Sequence, residues 1–572
     1  MRKLIALTLI ALMLIGTAAC SAPAQTPAEP AAPAAQTKTL TGVGKGFGGE
    51  VTVTVTVEGD KIVDVKAVGD KETKNIGSKA IDELPAKIVE AGSVNVDVVT
   101  GATVTSNAII YAVNNALDPA TYPAPVEEAP VAEGPATIAA AEVYMGFGLN
   151  NTPRVGPGKD DTDVPVYSVN QVFANVLFDG EGKILNLYID QLEYATPNYD
   201  GESMPHFSGF PGQGGYNNDE NHDAKVDGKT ADTEENFVAE VNSWATKRDR
   251  GDSYVMNTGT WSKQMDTYQK LFVGKTVEEV EAWFAKYTSD LNGRPLKADG
   301  DKPEDQAKYG ALTEEEKAQL ADVVSTATMS LKDPHGNILA AIKDAYENRV
   351  PLAITSAAAV GFGLNNTPRI GPGKDDTDVP VYSINQVFAN TLFDADGKIL
   401  AIYIDQLEYA TPNYDGESMP HFSGFPGQGG YNNDENHDAK VDGKTADTEE
   451  NFIAEVNSWA TKRDRGDSYV MNTGTWTKQM DTYQQLFVGK TVEEVEAWFA
   501  KYTSDLNGRP LKADGDKPED QAKYGALTEE EKAQLADVVS TATMSLKDPH
   551  GNILAAIKAS FDKRQEIVLS VG

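Results

Sequence analysis

The feature that most constrains this chain is a long internal repeat. Gly146-Phe147-Gly148-Leu149-Asn150-Asn151-Thr152-Pro153-Arg154 recurs from Gly361 to Arg369, an offset of 215 residues. From there to the two ILAAIK segments, at Ile338 and Ile553, the copies differ at about ten positions, such as Val155/Ile370, Val176/Thr391 and Ser262/Thr477. A period this long marks a duplicated domain rather than a solenoid, and near-identity implies one fold and nearly one chemistry in both copies.

Each copy contains a strand–turn–strand pattern. In the first, Gln171 to Phe178 is a strand, Asp179 to Gly182 a turn and Ile184 to Leu192 the returning strand. A long insertion follows. Asp232-x-x-Glu235 ahead of Phe237, Val241 and Trp244, and Thr276-x-x-Glu279 ahead of Val280, Phe284 and Tyr287, read as capped helix starts. Thr313-x-x-Glu316 opens a third helix running into Ala321 to Ser330, and Ile338 to Tyr346 is again helical in pattern. A smaller domain precedes the repeats. Glu50 to Val57 alternates, with Val51, Val53, Val55 and Val57 on one face; Ile62 to Val68 returns. Ser78 to Ala91 and Ser106 to Leu117 have helical spacing, and Val94 to Val99 is β-rich. The expected fold class is α+β: a small antiparallel sheet with helices, then two near-identical enlarged α+β repeats.

The N-terminus has the form of an export signal. Arg2 and Lys3 precede the apolar Leu4 to Ile15, which is short for a bilayer span. Gly16-Thr17-Ala18-Ala19-Cys20 then resembles the lipobox of bacterial lipoproteins, with Thr17 where a larger apolar residue is typical. That resemblance implies cleavage before Cys20 and a lipid on its thiol, hence a cell-membrane anchor on the extracytoplasmic face. The expected boundaries are residues 1–19 for the signal, 20–38 for an Ala/Pro-rich tether, 39–117 for the small domain, 118–137 for a Pro-rich linker, and 138–349 and 350–572 for the repeats.

Cys20 is the single cysteine, which excludes internal disulfides, cysteine-ligated iron–sulfur clusters and a Cys-x-x-Cys-His haem site. Redox activity would need an organic cofactor or a metal held by His and carboxylates. The net charge of −36 disfavours nucleic acid as a partner.

The small domain contains Asp97-Val98-Val99-Thr100-Gly101-Ala102-Thr103. This resembles the FMN-binding domain family of the C subunit of sodium-pumping NADH:quinone reductase and the G subunit of the Rnf complex, whose pattern is Asp-x-x-(Ser/Thr)-Gly-Ala-(Ser/Thr). A second family feature, Glu-Thr-Pro-Gly-Ile-Gly, is present in altered form as Glu72-Thr73-Lys74-Asn75-Ile76-Gly77. The resemblance implies FMN esterified through its phosphate to Thr103 by an ApbE-type flavin transferase, with Asp97, Thr100, Gly101 and Ala102 around it. A helix starting just after Thr103 suits an anion, and the apolar strand face would supply part of the wall against the ring.

The repeats carry a variant. Asp322-Val323-Val324-Ser325-Thr326-Ala327-Thr328 and its copy, with Asp537, Ser540 and Thr543, follow the same pattern with Thr326 or Thr541 in place of glycine. The resemblance extends possible FMN attachment to Thr328 and Thr543, although a β-branched residue does not readily take a left-handed backbone. The insertion holds Met204 to Tyr216, rich in Gly, Pro and aromatics, which suits a loop stacked over a flavin ring. Asn217 to Asp223 offers oxygen ligands of the kind that hold Ca²⁺, without EF-hand spacing; as a solvated acidic loop it needs no metal. His335 reads as a capping residue.

Two functions fit. One is an electron carrier passing electrons from a membrane quinone-linked reductase to an external acceptor. The other is a lipoprotein whose repeats bind a ligand or metal without redox chemistry.

Overall fold

The computed structural model describes residues 37–572, apart from 47–48, 60, 73–76, 100–101, 125–135, 200, 202, 220–222, 227, 257, 333, 417, 435–437, 442, 472 and 548. The signal, the lipobox cysteine, Thr100 and Gly101 therefore lie outside the described residues, as do the side chain of Thr103 and most of the second family motif. The chain divides into two compact units, Met1–Ala132 and Glu133–Gly572.

In the first unit, β1 (Thr37–Lys45), β2 (Glu50–Glu58) and β3 (Lys61–Val68) form an antiparallel sheet in that order. Helices α1 (Gly77–Ala91) and α2 (Thr103–Leu117) cover one face. The alternation of β2 sends Val51, Val53 and Val55 into a core with Leu84 and Ile88 of α1 and Ile109 and Val113 of α2, and all three valines are fully buried. That apolar face is occupied by the helices, so it is not the wall for a flavin ring that its pattern suggested. β1 crosses α2 at van der Waals contact: a Cβ on Gly42 or Gly44 would sit 2.0 Å from the carbonyl oxygen of Ala112 or Ala108. Val94–Val99, expected to be β-rich, joins no strand among the described residues. Its last residue is instead tied to α2, with Val99 N–H donating to Ser106 Oγ at 3.1 Å.

The second unit holds both repeats. The first contributes β4 (Ala136–Ala140), β5 (Val143–Lys159), β6 (Pro165–Asp179) and β7 (Ile184–Ala195). Its helices are α3 (Glu234–Ser243), α4 (Trp261–Phe272), α5 (Val277–Tyr287), α6 (Pro303–Gly310), α7 (Glu314–Thr326) and α8 (Ile338–Glu347). The second contributes β8 (Ser356–Lys374), β9 (Pro380–Phe393) and β10 (Ile399–Ala410). It continues with α9 (Glu449–Ser458), α10 (Trp476–Phe487), α11 (Val492–Tyr502), α12 (Pro518–Gly525), α13 (Glu529–Thr541), α14 (Ile553–Asp562) and β11 (Gln565–Val571). β5-β6-β7 are antiparallel neighbours, extended by a short strand at Val350–Pro351. The second sheet runs β10-β9-β8-β11-β4, so the strand that opens the unit closes the other repeat's sheet by pairing parallel to β11.

The central strands are buried on both faces, which explains why Gln171 to Phe178 is mostly apolar, with Gln171 and Asn175 as its buried polar residues. Val169, Phe173 and Leu177 of β6 point into a core shared by the two repeats. Val172, Ala174, Val176 and Phe178 point the other way, against α4, α5 and α8. The order of layers is helices, sheet, sheet, helices. Reciprocal contacts cross the middle. Gln171 and Gln386 donate Nε2 to each other's Oε1 at 2.8 Å, and the Tyr194 and Tyr409 hydroxyls meet at 2.9 Å. Gln213 Nε2 donates to Ser423 O, and Gln428 Nε2 to Ser208 O, each at 2.6 Å. The aromatic insertion belongs to this seam: Phe207 stacks on Phe422 at 6.1 Å, and Phe210 and Phe425 pack beside them, all fully buried. These rings glue the repeats together and are closed to a cofactor.

The capping boxes at Thr276/Glu279 and Thr313/Glu316 form as expected, and repeat at Thr491 and Thr528. Two other cap assignments shift. α3 is capped by Thr233, whose hydroxyl accepts from Asn236 N–H, not by Asp232. α8 is capped by Asn337, whose Oδ1 accepts from Ala340 N–H at 2.9 Å, not by His335. Among the described residues no helix is long and apolar enough to cross a membrane.

Candidate functional site

The small domain brings its two motif segments together. Thr105 Oγ1 donates to Glu72 Oε2, joining the first turn of α2 to the loop ahead of α1. Three glycines make room for that carboxylate: a Cβ on Gly46, Gly69 or Gly77 would come within 2.3, 2.9 or 2.6 Å of Glu72 atoms. α2 begins at Thr103, and the residue ahead of it is Ala102, which has no side-chain acceptor for the first-turn N–H groups. Helix N-termini left this way favour an anion, and phosphate in particular. Ala102 is buried, and Ala102 N–H donates to Val99 O at 2.9 Å, which fixes the approach to the helix; Asp97 is exposed. The uncapped start of α2 suits a phosphate group.

The repeats use the same strand–helix crossing. A Cβ on Gly146 or Gly148 would lie 1.9 Å from the carbonyl oxygens of Ala345 and Ala341 on α8, and Gly361 and Gly363 meet Ser560 and Ala556 of α14 in the same way. α8 and α14 thus correspond to α2. The segments resembling the attachment motif are placed differently. Asp322 and Ser325 lie on exposed turns of α7, with Ser325 Oγ donating back to Asp322 O at 2.7 Å; Asp537 and Ser540 do the same on α13. Thr326 is the last residue of α7, so the left-handed turn that glycine would serve is not used. Thr328 and Thr543 lie between α7 and α8 and between α13 and α14, well ahead of the helix corresponding to α2.

Of those segments, Thr328 and Thr543 with the Met-Ser pair after each reach a cavity. It is about 300 Å³ in the first repeat and about 530 Å³ in the second. Thr328 Oγ1 bonds Thr258 Oγ1 at 3.1 Å, and Thr328 N–H donates to Gln264 Oε1 at 2.9 Å; Thr543 has Thr473 at 3.2 Å and Gln479 at 2.9 Å. The cavity floor is charged. Glu193, buried at the end of β7, receives Arg154 Nη1 at 2.7 Å and Lys247 Nζ at 2.8 Å, with Ser168 and Asn170 also donating. Burial alone would raise this carboxyl, but the Lys247 and Arg154 charges prevail and hold it at about 2. Glu408, with Lys462 and Arg369, repeats the arrangement and the value. His335 and His550 line the cavities, and burial, followed by the nearby arginine, pushes each down to about 4, so both are neutral at pH 7. Arg294 Nε donates to Ser330 Oγ at 3.0 Å, as Arg509 does to Ser545.

These cations were not singled out by sequence pattern. Arg154 closes the repeated nonapeptide, but Glu193 lies near the end of β7 while Lys247 and Arg294 are scattered over the insertion, and they meet only in the fold. In the acidic stretch of the insertion, Asp219 accepts from the N–H groups of Asp223 and Ala224. No group of three metal-ligating side chains occurs among the described residues.

Residues 46–118 match the FMN-binding domain family, so the small unit is an FMN-binding domain by sequence as well as by motif. The chain is similar to a chlorophenol reductase of Desulfitobacterium hafniense, at 36% identity over 227 residues, covering 37% of this chain and 59% of the relative. It is also similar to an NADH:acrylate oxidoreductase of Vibrio harveyi, at 40% over 78 residues, and to a urocanate reductase of Eggerthella lenta, at 45% over 78 residues. Those two matches cover 14% of this chain each, and 8% and 13% of the relatives. The chain therefore spans less than two thirds of each relative.

Proposed function

We propose that the protein is an electron-transfer flavoprotein carrying FMN on Thr103, anchored through Cys20 to the outer face of a membrane, and relaying electrons from a membrane reductase to an external acceptor. The observation that carries the reading is the α2 N-terminus, with Thr103 as its first residue, no side-chain cap ahead of it, and the Glu72–Thr105 bond locking its first turn. The FMN-binding family match and the reductase relatives support a flavin redox role. FMN would supply the electron-transfer chemistry. The protein's part is to hold the phosphate at a helix terminus and keep the attachment segment rigid. The ester bond itself would come from an ApbE-type transferase acting on the Thr103 hydroxyl.

The test is intact mass after coexpression with such a transferase. Wild type is expected to gain the mass of FMN less one water and Thr103→Ala to lose that attachment; an unmodified wild type, or a Thr103→Ala chain that keeps its FMN, would sink the reading. Thr328→Ala and Thr543→Ala, measured beside it, report whether the repeats add flavins of their own. Membrane anchoring is tested separately, since Cys20→Ala should move the protein from the membrane to the soluble fraction.

A further inference from the structure

The twin cavities are poor in acceptors and rich in donors. Among the described residues of the first repeat, Arg154, Lys247 and Arg294 face one carboxylate, Glu193, in a chain whose overall charge is −36. Arg154 and Lys247 each take one oxygen of Glu193. Arg294 has no carboxylate partner among the described residues and is aimed by its bond to Ser330. In the second repeat the same residues recur as Arg369, Lys462, Arg509 and Glu408, and Lys512, paired with Asp514 at 3.4 Å, reaches the rim.

Buried donors next to the cavity point the same way. Trp476 lines it at 1% exposure, and its indole Nε1 has no acceptor. The counterpart Trp261 Nε1 is equally without one. Gln264 is fully buried, its Oε1 is fixed by the N–H groups of Thr328 and Met329, and its Nε2 donor is left over. Gln479 Nε2 reaches only Gly474 O at 3.5 Å. Buried donors without acceptors are costly, and of these four side chains Trp476 is the one that lines its cavity.

We propose that each repeat binds a small organic dianion in this cavity, with Arg294, or Arg509 in the second copy, as its principal ion-pair partner. Among the described lining residues, three cations against one carboxylate leave two positive charges in the first repeat, which matches a ligand carrying two negative ones. A phosphate monoester and a dicarboxylate both meet that description. The size is that of a small-molecule site. Glu193 is the fixed counterion that keeps Arg154 and Lys247 in place, and the neutral imidazole of His335 adds no competing charge. The site is independent of flavin on Thr103.

The test is calorimetric titration of the full chain carrying Thr103→Ala, at low ionic strength, with inorganic phosphate, succinate, FMN and riboflavin as separate probes. Expected is saturable binding of phosphate or succinate at two sites per chain, weakening as salt is raised. Arg294→Gln should leave one site, and Arg294→Gln with Arg509→Gln should weaken binding at least tenfold, with Arg→Lys at both positions restoring part of it. Phosphate without succinate assigns a phosphate monoester, and then FMN should bind where riboflavin does not; succinate without phosphate assigns a dicarboxylate. The proposal is overturned if neither dianion saturates, if the double Gln variant binds as well as the parent while keeping its melting temperature, or if riboflavin binds as tightly as FMN.

Discussion

At the residue scale the decisive groups are buried charges. Glu193 and Lys247 are each almost fully out of water, and such a pair is stable only while both members are present. Glu193→Gln is expected to destabilise the second unit by roughly 3–5 kcal/mol, because Lys247 keeps its charge without its counterion. Urea denaturation monitored by tryptophan fluorescence checks this. The sign with pH follows from the depressed carboxyl. Glu193 holds near 2 when folded against an ordinary 4.5, so its contribution is complete above that ordinary value and is lost as pH falls toward 2. Stability of wild type should fall on acidification through that window more steeply than stability of Glu193→Gln. Thr103, Thr328 and Thr543 stood out as candidates in sequence because their motif is contiguous. The cavity did not, since nothing in the spacing of Arg154, Glu193, Lys247 and Arg294 announces that a strand end, a loop and a turn converge.

At the scale of elements, the Gly-x-Gly strand against a helix of small residues is the shared unit of all three domains. A methyl at Gly148 would strike a backbone carbonyl rather than a movable side chain. Gly148→Ala should therefore cost about 1–3 kcal/mol or more, read as a lowered melting temperature, while alanine at an exposed position on the same strand should be near neutral. Capped helices and alternating strands were readable because their signals are local. β1 and the depth of the glycine contact were not, since Thr37–Lys45 has no strong alternation and closeness to a helix depends on tertiary packing. α8 also carries an asymmetry. Asp344 accepts Leu149 N–H at 2.8 Å, and burial, with Asp464 adding repulsion, pushes it up to about 7; the counterpart on α14 is Ala559. With the folded value above the ordinary 3.8, the unfolded chain ionises first, so this residue's contribution is intact at low pH and declines as pH rises to about 7. Asp344→Asn should melt higher than wild type at pH 7.5, with the difference closing near pH 4, by differential scanning calorimetry at both values.

At the scale of the molecule, the second unit is built as a dimer would be, with one copy of each reciprocal contact supplied by each repeat. The duplication was plain in the sequence, and so was the α+β class. That the repeats bury their aromatic insertions against each other was not, because Phe207 and Phe210 read equally well as a flavin-stacking loop until the partner rings of Phe422 and Phe425 are in view. A fragment holding residues 136–355 would expose this seam. It is expected to self-associate into a dimer using the same glutamine and tyrosine pairs, by size-exclusion chromatography with light scattering, and a folded, monomeric fragment would contradict the shared-core description.

The parallel pairing of β4 with β11 has a further consequence. Ile567 lies opposite Ala136 and Val571 opposite Ala140, so the last strand of the unit runs beside its first. The junction between the repeats, around Val350 to Ser356, makes the corresponding passage inside the chain. The unit is thus close to a closed ring in its connectivity. A circular permutant opened within that junction, with a linker long enough to run back along the parallel strands from residue 572 to residue 136, should keep the fold. Deleting Gln565–Val571 instead would strip the second sheet of two neighbouring edges at once.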